Sequence, residues 1–224
     1  HLAKNLTGRT SQEKRKKISE ILKKKKIDVF VMTSPDSIAW LANIRGADVP
    51  YTPFSLGYAI FYNDCSLDFF NDPRKFSDKV IDKIGGNSNI FSREDFLPKL
   101  RELGTKRLNI GVDHNTTSHI IYETLRKSGA KLEHTDDPCQ LEKATKTKVE
   151  LAGMRKAHIR DGVALAKFLF WIQKNSKSGQ LTELNVTNKL ESFRREGEKI
   201  QGLSFPTISG SGPNGAIVHY KVNE

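Results

Sequence analysis

The stretch IDVFVMTSPDSIAWLANIRGADVPYTPFSLGYAIFYNDCSLDFF (27–70) decides how the first part of this chain folds. IDVFVM (27–32) is a short apolar run rich in β-branched residues, and such a run predicts a buried strand. Residues 35–41 begin with a proline and an acidic residue, which predicts a helix. LGYAIFY (56–62) and SLDFF (66–70) then predict two strands joined as a hairpin.

The same alternation of strands and helices continues on both sides of this stretch. Upstream, Thr10 and Glu13 have the spacing of a capping box and predict the start of a helix. This pattern predicts an α/β fold with a largely parallel or mixed sheet. We expect the domain to end at residue 138, because Pro138 disfavours helix in the residue before it. Downstream, helices are predicted over 74–84, 93–103 and 118–127, and strands over 89–91, 107–113 and 131–135.

Residues 139–224 differ in character from the first domain. A wide apolar stripe over 146–175 predicts one long helix, and Thr182 predicts the cap of a second helix. LSFPTISGSGPNGAIVHY (203–220) predicts two short strands around a turn rich in Gly, Ser and Pro. A helix with so wide a stripe needs a sheet to pack on, and too few strands follow to form one. We therefore expect the second domain to be incomplete.

The composition is that of a folded globular protein. Of the 224 residues, 37% are hydrophobic and 28% are charged, which is too apolar for a disordered chain. No run of about 18 apolar residues occurs, so no transmembrane helix is predicted, and the first residues lack the pattern of a signal peptide. Cys65 and Cys139 form no CxxC pair and are expected to be reduced thiols. These features predict a cytoplasmic protein.

The net charge of +11 raises the question of a nucleic-acid partner. Basic residues are densest in 14–17 and 23–26, where no aromatic side chains interleave to stack on bases. Lysine outnumbers arginine there, whereas bidentate contacts to bases favour arginine. We expect solvated helix faces and no nucleic-acid partner. Salt-sensitive binding to nucleic acid is the alternative.

The acidic residues and most of the histidines predict no metal site. Asp136 and Asp137 are adjacent, and adjacent side chains point apart in most backbones. Structural or solvated roles are expected for His114, His119, His134 and His158. We therefore name no metal ligand in this chain.

Three segments carry a resemblance to a known family: SIAWLANIRGADVPYTPFSLGYAIFY (37–62), MRKAHIRDGVALAKFLFWI (154–172) and LSFPTISGSGPNGAIVHY (203–220). In their order and spacing the chain resembles the Xaa-Pro aminopeptidases, also called aminopeptidase P. The joint presence of WLANIRGADV and GPNGAIVHY favours the long members over prolidases and creatinases, which share the fold. The resemblance implies a creatinase N-terminal-like mixed-sheet domain over 1–138, the middle domain of the long members. It also implies a truncated first part of a pita-bread (α+β) peptidase domain over 139–224.

The resemblance also implies a chemistry. The family removes the N-terminal residue of peptides that have proline in the second position. Two metal ions, usually Mn²⁺, share a bridging hydroxide that attacks the scissile carbonyl. Their ligands, two Asp, one His and two Glu, are expected downstream of GPNGAIVHY, so this chain alone is expected to be inactive. The intact enzyme is expected to be a homodimer that engages no membrane.

His219, in GPNGAIVHY, is the one candidate active-site residue. The resemblance implies that His219 lies beside the metal site, binds substrate and helps to stabilise the tetrahedral intermediate. An imidazole suits this role, because it donates a hydrogen bond and titrates near neutrality. Without the resemblance, a lone histidine at the end of a strand indicates a structural role.

The other motif residues have open roles. Residues 212–215 are expected to form a turn that aims the following strand. Phe205 and Pro206 either line the approach to the site or pack. Arg45 and Asp48 either form an ion pair at a junction between domains or subunits, or lie on the surface. As an alternative, the whole chain is a non-catalytic module for dimerisation or partner binding, or part of a prolidase or creatinase relative.

Overall fold

The structure, a computed structural model, describes residues 1–223, without the side chain of Ser178. The chain divides into two compact units. The first unit comprises His1–Val49 and Pro53–Glu150. The second comprises Pro50–Thr52 and the chain from Leu151 onward.

A six-stranded mixed sheet forms the centre of the first unit. The strands lie in the order β4-β3-β2-β1-β5-β6, where β2 is antiparallel to both neighbours and the other pairs are parallel. The predicted α/β fold with a mixed sheet is confirmed. The strands are β1 (Val29–Met32), β2 (Tyr58–Tyr62), β3 (Leu67–Phe70), β4 (Ser88–Phe91), β5 (Asn109–Val112) and β6 (Lys131–His134).

The helices of the first unit alternate with these strands. They are α1 (Lys4–Thr7), α2 (Ser11–Lys24), α3 (Pro35–Ala42), α4 (Asp78–Ile84), α5 (Phe96–Gly104), α6 (His119–Lys127) and α7 (Cys139–Ala144).

The sheet buries side chains on both of its faces, as the alternation along β1 shows. Phe30 and Met32 belong to one apolar cluster, and Val29 and Val31 belong to the other. The first cluster includes apolar residues of α2 and α3, and the second includes apolar residues of α5 and α6. Because successive side chains of a strand point to opposite faces, the sheet is a central layer with helices on either side.

The start of α2 has the capping box expected from Thr10 and Glu13. The Glu13 amide donates to Thr10 Oγ1 at 3.1 Å, and the Thr10 amide donates to Glu13 Oε2 at 2.7 Å. The two side chains thereby satisfy backbone amides that lack partners within the helix.

Two predicted helices begin later than expected, each after a short 3-10 turn. The turn Pro73–Lys75 precedes α4, and the turn Arg93–Asp95 precedes α5. Pro98 therefore lies in the first turn of α5. A proline is tolerated there, because the amides of the first turn have no partner within the helix.

The first unit continues beyond residue 138, where the sequence predicts the boundary. α7 packs on α3, and Cys139 at the start of α7 is fully buried. The Cys139 amide donates to Asp137 Oδ1 at 2.8 Å, and the Asp137 amide donates to Asp113 Oδ2 at 3.1 Å. These contacts join α7 to the sheet, and the compact unit ends at Glu150.

Two helices, α8 (Lys148–Asn175) and α9 (Glu183–Arg195), account for about half of the second unit, and the first turn of α8 still belongs to the first unit. Arg194 Nε donates to Asp161 Oδ1 at 2.7 Å, and Lys167 Nζ donates to Glu196 Oε2 at 2.8 Å. These ion pairs join the two helices. Both predicted helices are confirmed.

The two strands predicted over 203–220 do not form, and that prediction is wrong. The segment contains a 3-10 turn, Gly212–Ala216, flanked by irregular chain. A strand needs a neighbour that satisfies its backbone groups. Within residues 1–223, every paired strand lies in the sheet of the first unit.

The apolar stripe of α8 is largely exposed. Ile159, Val163 and Phe170 are 68%, 54% and 59% exposed, whereas Ala164 is buried. Across the part of the chain that the structure describes, no helix has the length and apolar character needed to cross a membrane.

Candidate functional site

Residues 211–220, which include the whole GPNGAIVHY motif, are folded into three successive turns. The Asn214 amide donates to Ser211 O at 3.2 Å, and the Ile217 amide donates to Asn214 O at 3.2 Å. The Tyr220 amide donates to Ile217 O at 3.3 Å. Bonds between residues three apart are typical of β-turns and of 3-10 helix. His219 lies in the last of these turns.

His219 occupies the third position of its turn. Its φ of 57° lies in the left-handed region, which a residue other than glycine adopts at a cost of roughly 1–2 kcal/mol. The side chain is exposed, and no residue within 1–223 forms a hydrogen bond with it. Both ring nitrogens are therefore open to a ligand.

Two glycines give this segment the room that it needs. Gly212 has a φ of 54°, where glycine meets no steric penalty. A Cβ at Gly210 would lie 3.1 Å from the Asn214 carbonyl oxygen, closer than most side chains tolerate. The turn expected over 212–215 is present, although it leads into a further turn and not into a strand.

Glu183, the first residue of α9, binds this segment on both sides of His219. Its Oε1 accepts from the Ser211 amide at 2.5 Å and from Asn214 Nδ2 at 3.2 Å. Its Oε2 accepts from the Tyr220 hydroxyl at 2.6 Å. Asn214 Nδ2 also donates to the Tyr220 hydroxyl oxygen at 3.0 Å. We call these four residues the Glu183 cluster.

The cluster changes the acidity of two of its members. The hydrogen bond from Tyr220 lowers the pKa of Glu183, and the Ser211 amide lowers it further. The same hydrogen bond raises the pKa of Tyr220. At neutral pH the carboxyl group is therefore ionised and the phenol is protonated, which makes the bond between them charge-assisted.

A capping box at Thr182 fixes the position of Glu183. The Asn185 amide donates to Thr182 Oγ1 at 3.1 Å, and the Thr182 amide donates to Asn185 Oδ1 at 3.1 Å. The N-terminus of a helix carries a partial positive charge, which favours a carboxylate in the first turn. Glu183 therefore lies in the first turn of α9, where the helix dipole favours its negative charge.

Sequence reasoning predicted the Thr182 cap and missed the cluster. An acidic residue directly after a helix cap is common, so its presence carries little information. Glu183 binds residues that lie 28 and 37 positions further along the chain. No periodicity or local motif signals contacts at such a separation.

Arg45 and Asp48 do not pair with each other. Arg45 donates to the backbone carbonyls of Ile44 at 2.8 Å and of Ala39 at 3.3 Å, near the end of α3. Asp48 forms an ion pair with Lys75 at 2.6 Å, and this bond lowers the pKa of Asp48. The structure thus supports the surface role for both residues and contradicts the ion pair.

A separate cavity of about 300 Å³ lies in the second unit, between α8, α9 and residues 197–204. Arg194, one of the two arginines that line the cavity, is bound by Asp161 at 2.7 Å. The cavity is lined neither by His219 nor by the Glu183 cluster. Phe205 and Pro206 follow it in sequence, and both are exposed, so packing of these two residues is not observed within residues 1–223.

The described residues do not form a site for the metal ions that the resemblance implies. In residues 1–223, no group of three or more His, Cys, Asp or Glu side chains is placed to hold a metal ion. Asp137 accepts from the Cys139 amide at 2.8 Å, and the His134 ring lies 5.6 Å from that of Tyr122. The donor set that two metal ions require is thus absent from this range.

Relatives match this chain along its full length. The Xaa-Pro aminopeptidase 1 of Dictyostelium discoideum is 37% identical over 227 residues, which cover 100% of this chain and 36% of that protein. A probable Xaa-Pro aminopeptidase P of Pyricularia oryzae is 35% identical over 240 residues, which cover 100% of this chain and 38% of that protein. The chain therefore spans little more than a third of the length of these relatives.

Solved structures show the same fold. The X-prolyl aminopeptidase of Caenorhabditis elegans, described as a cytosolic enzyme with a di-nuclear active site, has a TM-score of 0.82 at 28% identity. That match covers 96% of this chain and 37% of the other. The X-Pro aminopeptidase of Thermotoga maritima has a TM-score of 0.60 at 20% identity, over 92% of this chain and 56% of the other.

Two family models match successive parts of the chain. The Creatinase/Prolidase N-terminal domain matches residues 1–150, which is well over half of the chain. Metallopeptidase family M24 matches residues 152–224. Together with the relatives, these matches confirm the resemblance to the Xaa-Pro aminopeptidases. The chain belongs to the family of creatinase and prolidase N-terminal domains through its residues 1–150.

Proposed function

We propose that this chain forms the creatinase-like domain and the opening part of the peptidase domain of an Xaa-Pro aminopeptidase. Such an enzyme removes an N-terminal residue that precedes proline. One observation carries the proposal: the two family matches follow one another along this chain, and relatives that match its full length bear this name. Peptides with proline in the second position are the proposed substrates.

The proposal assigns His219 to substrate binding. Its side chain is exposed and has no hydrogen-bonding partner among residues 1–223, so its N–H is available to an oxygen of a bound peptide. A donor placed beside the scissile carbonyl stabilises the negative charge of the tetrahedral intermediate. An imidazole in that position can also move a proton toward the departing amine.

Two metal ions, proposed to be Mn²⁺, complete the active site in this assignment. When bound, such ions polarise the carbonyl and supply a nucleophile at neutral pH. Residues 1–223 offer no ligand cluster, so we propose that the ligands follow GPNGAIVHY in a longer polypeptide. The 224-residue chain is then inactive by itself. We also propose that the intact enzyme is cytoplasmic and forms a homodimer.

The test compares the 224-residue chain with a longer polypeptide that continues through its own coding sequence. Both are purified and incubated with Mn²⁺ and an Xaa-Pro-Pro peptide, and release of the first residue is measured by mass spectrometry. A matched peptide with alanine in place of the second-position proline is the control.

We expect release by the longer form alone, and from the proline peptide alone. Metal-dependent release by the 224-residue chain would contradict its proposed inactivity. A longer form that ignores the proline, or that cleaves neither peptide, would refute the proposed activity.

A further inference from the structure

We propose that Glu183 is a positioning residue for His219, because one carboxylate holds both ends of the segment that carries the histidine. The inference rests on the proposed function for its catalytic consequence. The contacts themselves stand independently of that function. They involve Ser211 before His219 and Tyr220 directly after it.

The bonds of Glu183 close the segment into a loop. Ser211 and Tyr220 are bound by different oxygens of the same carboxylate, at 2.5 Å and 2.6 Å. Asn214, between them in sequence, bonds to that carboxylate at 3.2 Å and to the Tyr220 hydroxyl at 3.0 Å. The segment from 211 to 220 is therefore fastened at its start, near its middle and at its end.

The loop has little else to fix it. Its own backbone bonds are the three turns described above, and its apolar residues Ile217 and Val218 are 53% and 81% exposed. Among residues 1–223, apolar packing therefore contributes little to the conformation of the loop. The left-handed backbone of His219 persists only if the surrounding structure holds it. Glu183 contributes to this by binding the side chain of the next residue, Tyr220.

The chemistry of the three donors explains why position 183 carries a carboxylate. Two oxygens that only accept can serve a backbone amide, a side-chain amide and a hydroxyl together. A glutamine keeps one accepting oxygen and turns an NH₂ group toward a donor. It also removes the charge that strengthens all three bonds. Glu183→Gln is thus a nearly isosteric change that selectively weakens the cluster.

A purely structural role is the competing explanation. In that case Glu183 stabilises the start of α9 through the helix dipole, and its loss lowers stability without moving His219. Glu191, also on α9, supplies the matched control. It pairs with Arg195 on its own helix at 2.7 Å and forms no hydrogen bond with residues 211–220.

The experiment has a spectroscopic part and a kinetic part. In the 224-residue chain, NMR of ring-labelled tyrosine and histidine follows the Tyr220 phenol titration and the His219 imidazole signals. The wild-type chain is compared with E183Q, E191Q and Y220F, and Y220F also assigns the Tyr220 signal. In the longer enzyme, kcat and KM for an Xaa-Pro-Pro peptide are measured for the same variants.

We expect E183Q to lower the Tyr220 titration midpoint toward that of an ordinary tyrosine and to shift the His219 signals, whereas E191Q changes neither. In the longer enzyme, E183Q and Y220F are each expected to reduce kcat about 10-fold or more, with KM changed less than about threefold. The loss falls on kcat because a displaced His219 weakens binding of the transition state more than that of the substrate.

Each failure has a distinct meaning. Unchanged Tyr220 and His219 signals in folded E183Q would overturn the cluster, whatever the activity. Altered signals with a wild-type kcat would overturn the positioning role and leave the cluster intact. A wild-type longer enzyme without Xaa-Pro activity would overturn the proposed function, and the NMR result would still decide whether Glu183 holds the loop.

Discussion

Lys14 donates a hydrogen bond to Asn43 Oδ1 at 2.7 Å, although both residues are almost completely buried. The same ammonium group donates to the Trp40 carbonyl at 2.9 Å and lies 4.4 Å from the centre of the Trp40 ring. The ammonium group of Lys14, on α2, thereby donates to two acceptors at the C-terminal end of α3. Burial lowers the pKa of Lys14 to about 8.

This lowered pKa makes stability depend on pH in a defined direction. Below the folded-state pKa of about 8, Lys14 is charged in both states, and the folded state bears the full unfavourable effect of burying that charge. Between about 8 and the ordinary value of 10.5, the unfolded chain binds more protons than the folded chain. The contribution of Lys14 to the free energy of unfolding therefore rises with pH in this window.

We expect Lys14→Met to destabilise the first unit, because it leaves Asn43 Oδ1 buried without a donor and removes the Lys14 hydrogen bond to the Trp40 carbonyl. The loss at neutral pH is about 1–3 kcal/mol, and it grows between pH 8 and 10. Urea unfolding is followed by Trp40 fluorescence with Trp171→Phe in every variant, so that the signal comes from the first unit alone. Exposed Lys16→Met is the control. A difference from wild type that stays constant with pH would contradict the lowered pKa.

Asp68 joins three strands of the sheet and gives a second prediction. It accepts from the Tyr62 hydroxyl of β2 at 2.8 Å and from Asn89 Nδ2 of β4 at 2.8 Å. Burial, followed by the Asp68 carboxylate, raises the pKa of Tyr62. Asp68→Ala is expected to lower the free energy of unfolding by about 2 kcal/mol, because the partly buried Tyr62 hydroxyl and the exposed Asn89 amide both lose their acceptor.

The same urea assay measures this loss, with Tyr62→Phe as the comparison. Tyr62→Phe removes one donor and leaves Asn89 paired, so we expect a smaller loss of about 1 kcal/mol. Equal losses in the two variants would mean that Asp68 acts through Tyr62 alone.

His219 provides the prediction closest to the proposed chemistry. In the longer enzyme, His219→Ala is expected to reduce kcat/KM for an Xaa-Pro-Pro peptide by about 10²–10³, the effect of removing one donor to a developing oxyanion. His158→Ala is the control, since His158 is exposed on α8 and its Nδ1 contacts the Met154 carbonyl at 2.9 Å. Activity within twofold of wild type in His219→Ala would remove the residue from the mechanism.

The exposed stripe of α8 predicts a measurable property of the 224-residue chain. Contiguous apolar surface of this kind binds hydrophobic dyes and promotes association. We expect strong fluorescence of such a dye, reduced by Ile159→Glu combined with Val163→Glu. Lys156→Glu on the same helix changes charge without removing apolar surface and is expected to leave the signal unchanged. Sedimentation of the same samples reports association. Dye binding that survives the double variant would place the apolar surface elsewhere.

The first unit could be predicted from sequence because its elements are encoded locally. The apolar run at 27–32 and the capping box at Thr10 each specify an element through neighbours a few positions away. Amphipathic helices need a sheet to pack on, so the neighbouring strands and the hairpin are also predicted. The structure differs at two helix starts, where Pro73–Lys75 and Arg93–Asp95 are 3-10 turns, and at the end of the unit, which continues past residue 138 to Glu150.

The second unit and the candidate site depended on information that is not local. The segment 203–220 has the composition of strands, but pairing also needs a neighbour, which residues 1–223 do not supply. Glu183 is ordinary in its local context and distinctive only through Ser211 and Tyr220. The charge of Arg45 predicted an acidic partner, whereas its N–H donors bind backbone carbonyls near the end of a helix.

The burial of Cys139 has a further consequence. Cys139 and Cys65 are both free thiols, but Cys139 is completely buried, whereas Cys65 is partly exposed at the β2–β3 turn. Burial raises the pKa of Cys139, so it offers almost no thiolate to an alkylating reagent while the first unit is intact. A native molecule thus presents one reactive sulfur and an unfolded molecule presents two. After brief alkylation, folded molecules would carry one added group and unfolded molecules two. The ratio of the two masses would therefore give the folded fraction of a mixed sample without an engineered label.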